Sequence, residues 1–396
     1  MDLKEIEIEI SLILKRDEKQ ISKVVDYLLS SAINNYASDI HLEPQKDSLK
    51  VRYRIDGILH DIAKLPKNIE DQLISRLKVI SKLVIYKKNV PQDGRIITQD
   101  GDLRISFLPT IHGEKAVIRV ISGKKEFLTL DELGLSDCMR KELQRLLTSS
   151  QGMVLLTGPA GSGKTTTIYA GLKYIHDMVG DRVNITTCED PIEHDLGFAT
   201  QTQVNPVAGF TFSQGLRSIL RQDPDVIMLG EIRDYQTAEV AIQAGFTGHL
   251  VITTIHSGLT TGVFSRLINM GIESYQAASV VTGVLAQRLV RRLCSECKES
   301  YQPSQELLEK LEIKNQNFFK PKGCRECNGT GYKGRTGLFE LLVVSEEIEE
   351  LVANRIADRE LREKVIVSGM KTLKEDGLEK VSAGITTLEE ILRVIQ

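Results

Sequence analysis

Apolar residues alternate with charged or polar ones from Ile6 through Ile8, Ile10 and Leu12 to Leu14, the period of a strand. The rhythm then changes. Ile21, Val24, Val25, Leu28, Ala32 and Ile33 recur at helical spacing. Residues 49–55 alternate again, and Asp56-Gly57 is a hairpin signal leading into a second strand at Ile58-Leu59-His60-Asp61-Ile62. Residues 69–86 predict an amphipathic helix. Residues 102–108 and 114–121 predict two more strands around a turn at Pro109 and Gly113. This first stretch therefore mixes helices with a meandering sheet.

Residues 122–134 are polar and turn-rich, which predicts a linker, and a Ser-capped helix follows at 136–147. Beyond it, short and fully apolar runs alternate with helical stretches: Val154–Thr157, Val183–Thr187, Val226–Leu229 and Leu250–Thr254. Strands buried on both faces look like this, and they imply a mainly parallel sheet flanked by helices. From residue 345 onward the pattern is amphipathic helix, with Thr387-x-x-Glu390 reading as a capping box ahead of Ile391 and Leu392. The divisions expected are an extension at 1–20, an α+β domain at 21–121, the linker, an α/β domain at 135–290, a cysteine module at 291–331 and a helical subdomain at 332–396.

Composition narrows the function. The chain has 396 residues, with 51 Lys and Arg against 54 Asp and Glu, a formal charge of −3. That balance argues against bulk nucleic-acid binding. The lack of tryptophan and an aromatic content of 5% leave few platforms for stacking bases. No run approaches the ~18 apolar residues of a membrane span. The acidic N-terminus lacks the features of a signal peptide, so a cytoplasmic location is expected.

Six cysteines are present, four of them as the Cys-x-x-Cys pairs Cys294/Cys297 and Cys324/Cys327. In a reducing compartment this pattern reads as a metal site. Four thiolates suit a closed, structural Zn²⁺ site. A redox pair is the rival reading, and two matched pairs favour the metal. The gap from Lys298 to Gly323 is longer than the usual ~15–20 residues, so a loop or small helix must fill it. Arg291, Arg292, Arg325 and Arg335 make the module basic. Cys138 and Cys188 are expected to be small buried or half-buried residues.

The sharpest motif is Gly158-Pro159-Ala160-Gly161-Ser162-Gly163-Lys164-Thr165, set between the buried run ending at Thr157 and a helix continuing over Thr166–Tyr174. This is the phosphate-binding loop in its strand–loop–helix context. The glycines let backbone N–H groups curl around phosphate oxygens, and the helix N-terminus adds partial positive charge. Lys164 reaches toward the terminal phosphates and Thr165 offers its hydroxyl to Mg²⁺. ATP is the substrate this implies.

Three further segments follow apolar strands, whose carboxyl ends are where ligands sit in α/β sheets. Thr187-Cys-Glu189-Asp190-Pro191 places Glu189 and Asp190 toward the pocket. Asp223–Asp234 ends its strand in Gly230-Glu231-Ile232-Arg233, so Glu231 is the candidate for polarising the attacking water. Arg233 is a candidate phosphate or subunit-contact group. Thr247–His256 puts His249 before a strand and His256 after it. His256 is the better placed to sense a phosphate, against the alternative of an ordinary half-buried histidine.

These motifs, together with Tyr36-Ala-Ser-Asp-Ile-His-Leu-Glu-Pro44, Pro91-Gln-Asp-Gly-Arg95, Leu216–Asp225 and Gln287-Arg288-Leu-Val-Arg291-Arg292-Leu-Cys294, run in order from about residue 21 to the C-terminus. In this the chain resembles the type II secretion and type IV pilus assembly ATPases of the hexameric secretion superfamily. The resemblance implies an α/β fold: a RecA-like P-loop core with an N-terminal α+β, PAS-like domain, a zinc module and a helical C-terminal tail. It implies a homohexamer, peripheral at the inner face of the cytoplasmic membrane, that uses ATP, Mg²⁺ and Zn²⁺ to move an inner-membrane platform protein. No nucleic acid is expected as a partner. It also implies that cations of the N-terminal domain, here Arg104 and Arg119, swing onto the phosphates, where spacing alone would make them solvated strand residues. Arg217 and Arg221, at i and i+4 on a predicted helix, become phosphate-side or interface cations, with a surface salt bridge as the plain alternative. The metal module resembles that of the assembly branches and points toward building a filament. Two motif positions depart from the pattern: Ala160 replaces a frequent threonine, and Ser257-Gly258-Leu259 replaces a more polar run. The short N-terminal extension resembles compact, competence-type forms.

Overall fold

In the computed structural model the chain opens with a helix, α1 (Leu3–Arg16), where the alternation predicts a strand. Ile6 and Ile10, four apart, are fully buried, and Leu3 lies with them, whereas Ile8 is 61% and Leu12 is 43% exposed. The every-second-residue pattern thus concealed an i, i+4 stripe on good helix formers. The structure describes residues 3–16, 20–98, 101–122, 128–310, 313 and 317–395. It forms two units, Met1–Glu126 with Gly323–Lys333 and Phe127–Lys322 with Gly334–Gln396.

The first unit continues with α2 (Ile21–Asn34), β1 (Ala37–Pro44), β2 (Ser48–Ile55), β3 (Ile58–Pro66), α3 (Glu70–Ile80), β4 (Gln92–Thr98), β5 (Gly101–Thr110) and β6 (Gly113–Ser122). The strands pair antiparallel in the order β3-β2-β1-β6-β5-β4. One face carries Ile40, Leu42, Val51, Tyr53, Phe107 and Ile118 into a core with Val24 and Leu28 of α2 and Leu73 and Leu77 of α3. Asp56 and Gly57, at φ 48° and 84°, make the expected hairpin turn between β2 and β3. Helix α3 stops at Ile80, short of the predicted 86. Lys82 takes a left-handed φ of 57°, and Leu83 N–H reaches back to the Lys78 carbonyl at 2.8 Å, ending the helix. Strands β1 and β4 were not legible in the pattern. β4 is an edge strand in which only Ile96 is buried.

The second unit begins with Leu130 and Leu133, both buried, so the predicted linker is partly core; its residues 123–127 lie outside the described residues. Helix α4 (Asp137–Leu147) is capped by Ser136, whose hydroxyl accepts from Met139 N–H. There follow β7 (Gly152–Thr157), α5 (Lys164–Val179), β8 (Ile185–Glu189), β9 (Thr200–Gln203), α6 (Phe212–Ile219), β10 (Val226–Leu229), α7 (Tyr235–Phe246), β11 (Leu250–Ile255), α8 (Gly262–Asn269), α9 (Ser274–Val280) and β12 (Val281–Leu293). The cysteine segment carries β13 (Glu299–Tyr301), α10 (Gln305–Lys310) and β14 (Phe318–Lys320), and β15 (Tyr332–Val343) leads to α11 (Glu346–Ala353), α12 (Asp358–Val367), α13 (Leu373–Ser382) and α14 (Leu388–Ile395).

The main sheet has the order β15-β12-β7-β11-β10-β8-β9, and the strands from β12 to β9 pair in parallel. Its apolar runs are continuous because both faces are covered. On β7, Met153 and Leu155 enter one core cluster while Val154 and Leu156 enter the other. Strands β10 and β11 divide in the same way. Among the described residues, no helix is long and apolar enough to cross a membrane.

Candidate nucleotide site

Strand β7 ends at Thr157 and α5 begins at Lys164, and the loop between them turns through Gly158, Gly161 and Gly163 at φ 149°, 74° and 89°. A Cβ on Gly158 would stand 2.4 Å from the Gln287 carbonyl oxygen, so no larger residue fits there. Inside the loop, the Ser162 hydroxyl is buried and has no hydrogen-bond partner among the described residues. A buried polar group with no protein partner, on a ring of backbone amides, is what a phosphate oxygen would satisfy. Lys164 Nζ donates to the carbonyls of Gly158 at 2.9 Å and Pro159 at 3.0 Å. Burial lowers its pKa, opposed by the charge of Glu231. Thr165 and Thr166 occupy the first turn of α5.

Glu231 stands two residues past β10. Its turn is fixed by Gly230 N–H on the Cys188 carbonyl, by Thr254 Oγ1 on the Gly230 carbonyl and by Ile232 N–H on the Thr254 carbonyl. Arg233 Nη2 donates to its Oε1 at 2.5 Å, and His256 Nε2 stands 3.6 Å from its Oε2. The Arg233 hydrogen bond holds the carboxyl below its ordinary range against burial, with help from His256 and Lys164. Glu231 also raises the pKa of Arg233. His256 follows β11 and is exposed. Beside it, Thr157 Oγ1 donates to the Ser257 carbonyl and accepts from Ser257 N–H, which locks the β7 end to this loop.

A cleft of about 1090 Å³ opens on the Gly158–Ser162 arm and the His256–Leu259 loop, and takes in Arg288, Glu340, Arg362, Lys374 and Arg393. It does not take in Lys164, Thr165 or Glu231. The departing run Ser257-Gly258-Leu259 thus lines the cleft itself.

Glu189, Arg217 and Arg221 sit differently from expectation. Glu189 is buried at the end of β8 and outside the cleft lining. Its oxygens are taken by Tyr169 Oη, Thr187 Oγ1 and Gln201 Nε2. Helix α6 ends at Ile219, so Arg217 and Arg221 do not share a helix face. Arg221 folds back and donates from Nη1 to the Arg217 carbonyl at 2.8 Å, satisfying a helix-end acceptor. His249 is tied to Thr247 and the Ala244 carbonyl, a local structural role. In the other unit, Arg104 and Arg119 are exposed cross-strand partners on β5 and β6.

Of the paired cysteines, Cys294 and Cys297 fall in the second unit and Cys324 and Cys327 in the first. Cys294, Cys297 and Cys327 are buried and Cys324 is half-buried. Cys324 N–H and Gly331 N–H each donate to Cys327 Sγ at 3.1 Å. Two Cys-x-x-Cys pairs supply the four sulfurs that a tetrahedral zinc takes. Cys188 is buried, and burial pushes its thiol up to about 12, so it is inert at neutral pH. Cys138 is exposed, against expectation, because it falls on the outer side of α4.

Sequence reasoning gave no role to Arg288, Glu340 or Arg362. Arg288 donates to the Gly258 carbonyl at 2.8 Å. Glu340, fully buried, takes two hydrogen bonds from Arg362 and one from Thr260 Oγ1 at 2.7 Å, joining the loop after His256 to α12. The only signal was Arg288 inside the Gln287–Cys294 motif.

Residues 15–393 match the family described as Type II/IV secretion system protein. The chain is 43% identical over 390 residues to the type II secretion system ATPase E of Vibrio cholerae, covering 97% of this chain and 77% of that protein. It is 43% identical over 398 residues to the type IV pilus assembly ATPase PilB of Thermus thermophilus, covering 98% of this chain and 44% of that protein. Among solved structures, the fold is shared with the Legionella pneumophila ATPase DotB at a TM-score of 0.69, 19% identity and coverage of 93% and 94%. It is shared with the ADP-bound pilus retraction motor PilT at 0.64, 24% identity and coverage of 92% and 95%. The core is thus a RecA-like P-loop fold with a helical C-terminal tail. With its phosphate loop, Glu231 and His256 gathered at one sheet edge, this ATP-hydrolysing chain belongs to the type II secretion and type IV pilus ATPase family.

Proposed function

We propose that this protein is the ATP-driven motor of a pilus or secretion pseudopilus assembly system. It would work as a homohexamer in the cytoplasm, held peripherally at the inner membrane by a platform protein. The observation that carries this is the edge of the parallel sheet, where β7, β10 and β11 deliver Lys164, Glu231 and His256 to one place. On nucleotide binding, Lys164 would exchange the Gly158 and Pro159 carbonyls for phosphate oxygens, and Thr165 would hold Mg²⁺, which neutralises charge on the phosphates. Glu231, kept ionised by Arg233, would orient the attacking water, and His256 would report the state of the γ-phosphate to the Ser257–Leu259 loop. Arg104 and Arg119 would supply cations as the site closes. Glu189 would serve by fixing Tyr169 at the wall of α5, and Arg217 and Arg221 would act at a subunit face. Zn²⁺ on Cys294, Cys297, Cys324 and Cys327 would hold the cysteine module together.

Glu231→Gln tests the reading. Phosphate release should fall to background while the variant still binds ATP. Release at the normal rate overturns the assignment. A deletion strain scored together for surface filaments, protein export and DNA uptake then identifies the system served; unchanged behaviour in all three overturns the motor reading.

A further inference from the structure

Five strands of the antiparallel sheet carry a charged residue at one register level. Cross-strand pairing runs from Arg54 on β2 to Asp39 on β1, then Arg119 on β6, Arg104 on β5 and Arg95 on β4. All five lie on the face away from the apolar core, since their chain neighbours Tyr53, Ile40, Ile118, Leu103 and Ile96 are buried. Like charges directly opposite each other in a sheet are destabilising, so a row of four guanidiniums and one carboxylate is not built for stability. It suits a polyanion.

The carboxylate organises the row. Asp39 has a side chain only 8% exposed. Its Oδ2 accepts from Ser38 Oγ at 2.9 Å and lies 3.7 Å from Arg54 Nε, while its Oδ1 accepts from Arg119 Nε at 3.0 Å. Arg119 is held through Nε, and its side chain is 71% exposed. A guanidinium anchored at Nε still presents its two terminal amino groups as a fork, the geometry that phosphate oxygens accept two at a time. Arg104 stands directly opposite, and among the described residues it has no ion pair, whereas Arg95 is paired with Asp102.

We propose that Asp39 is a positioning residue, whose buried carboxylate fixes Arg119 by its Nε so that the Arg119 fork and Arg104 meet one terminal phosphate of the nucleotide together. This rests on the reading above that both arginines reach the phosphates. Loss of the anchor leaves Arg119 charged but free to turn, so the rate of the chemical step should suffer more than nucleotide affinity.

The test is steady-state phosphate release by the full chain, with thermal midpoints measured alongside. Asp39→Ala should lower kcat about tenfold with KM within about twofold. Asp39→Asn, which keeps an acceptor for Nε but not its charge, should lose only about twofold, since a neutral hydrogen bond is roughly half as strong. In the Arg119→Ala background neither change should slow the enzyme further. If Asp39→Ala slows the Arg119→Ala enzyme by its full factor, Asp39 is only structural and the inference fails. It fails alone if Asp39→Ala runs at the normal rate while Arg119→Ala is slow. A normal rate for Arg119→Ala removes both the inference and the reading beneath it. Should Asp39→Ala not fold, the near-isosteric Asp39→Asn carries the same cycle.

Discussion

The two sheets differ in where they leave charge open, although both pair most of it. The parallel sheet is covered on both faces, and its chemistry stands at the carboxyl edge, where Glu231 is paired with Arg233. Three other buried carboxylates of that unit are matched with cations, Glu340 with Arg362, Asp376 with Lys380 and Glu390 with Arg291 and Arg393, and Glu189 is satisfied by neutral donors. One face of the antiparallel sheet carries the core of its unit. On its other face Arg104 has no carboxylate partner among the described residues and Arg119 is largely exposed. A charge satisfied at home contributes stability, and a charge left open is available to a ligand. The comparison therefore separates residues that hold the molecule together from residues that wait for a phosphate.

The strongest blow to this division falls on the loop of the parallel sheet. Lys164→Ala removes the cation that now rests on two carbonyls. It should reduce kcat by on the order of 10²–10³, measured as phosphate release, with the thermal midpoint almost unmoved. A large fall in midpoint would place Lys164 among the structural charges and blur the distinction.

Glu390 probes the opposite class. It is buried at the start of α14, where it accepts from Arg393 and from both the side chain and the N–H of Arg291. Burial would raise its pKa, but the two arginines outweigh that and bring it from 4.5 down to about 2. A depressed folded-state pKa gives stability that is complete above the unfolded value and is lost as pH falls through the folded one. The contribution should be on the order of 3 kcal/mol at neutral pH. Glu390→Gln should therefore lower the midpoint near pH 7, and its deficit should shrink between about pH 4.5 and pH 2. A deficit that stays constant over that window would mean that the charge is not what the pair supplies.

Smaller again is the contrast within α1, and it shows what the sequence could reveal. Alternation makes Ile6, Ile8 and Ile10 equivalent; the helix buries Ile6 and Ile10 and exposes Ile8. Ile10→Ala should cost roughly 2–3 kcal/mol and Ile8→Ala almost nothing, read from chemical denaturation. Equal losses would restore the strand. The parallel sheet was legible because strands buried on both faces carry their whole signal in four to six consecutive residues, as Val226–Leu229 does. The phosphate loop was legible for the same local reason. α1 was misread because two periods fit one short segment. Glu340 and Arg362 were invisible, and Arg288 stood in a motif without a role, because their meaning lies in contacts with Thr260 and Gly258, far away in the chain. The arginine row needs the register of five strands before Arg54, Arg95, Arg104 and Arg119 become neighbours at all.

The smallest effect expected is also the one that divides the two sheets most cleanly. Arg104 faces Arg119 directly across β5 and β6, with no carboxylate of its own among the described residues. Arg104→Ala should slow phosphate release, yet raise the stability of this unit by roughly 0.5 kcal/mol at low salt by relieving the like-charge pair. Added salt screens that repulsion, so the gain should fade as ionic strength rises toward 1 M, where the Debye length is about 3 Å. A variant that is both slower and more stable is the signature of a residue kept for its ligand, since a residue that packs or pairs internally loses both together. If Arg104→Ala is instead less stable at every salt concentration, this face is structural like the rest, and the contrast between the sheets collapses.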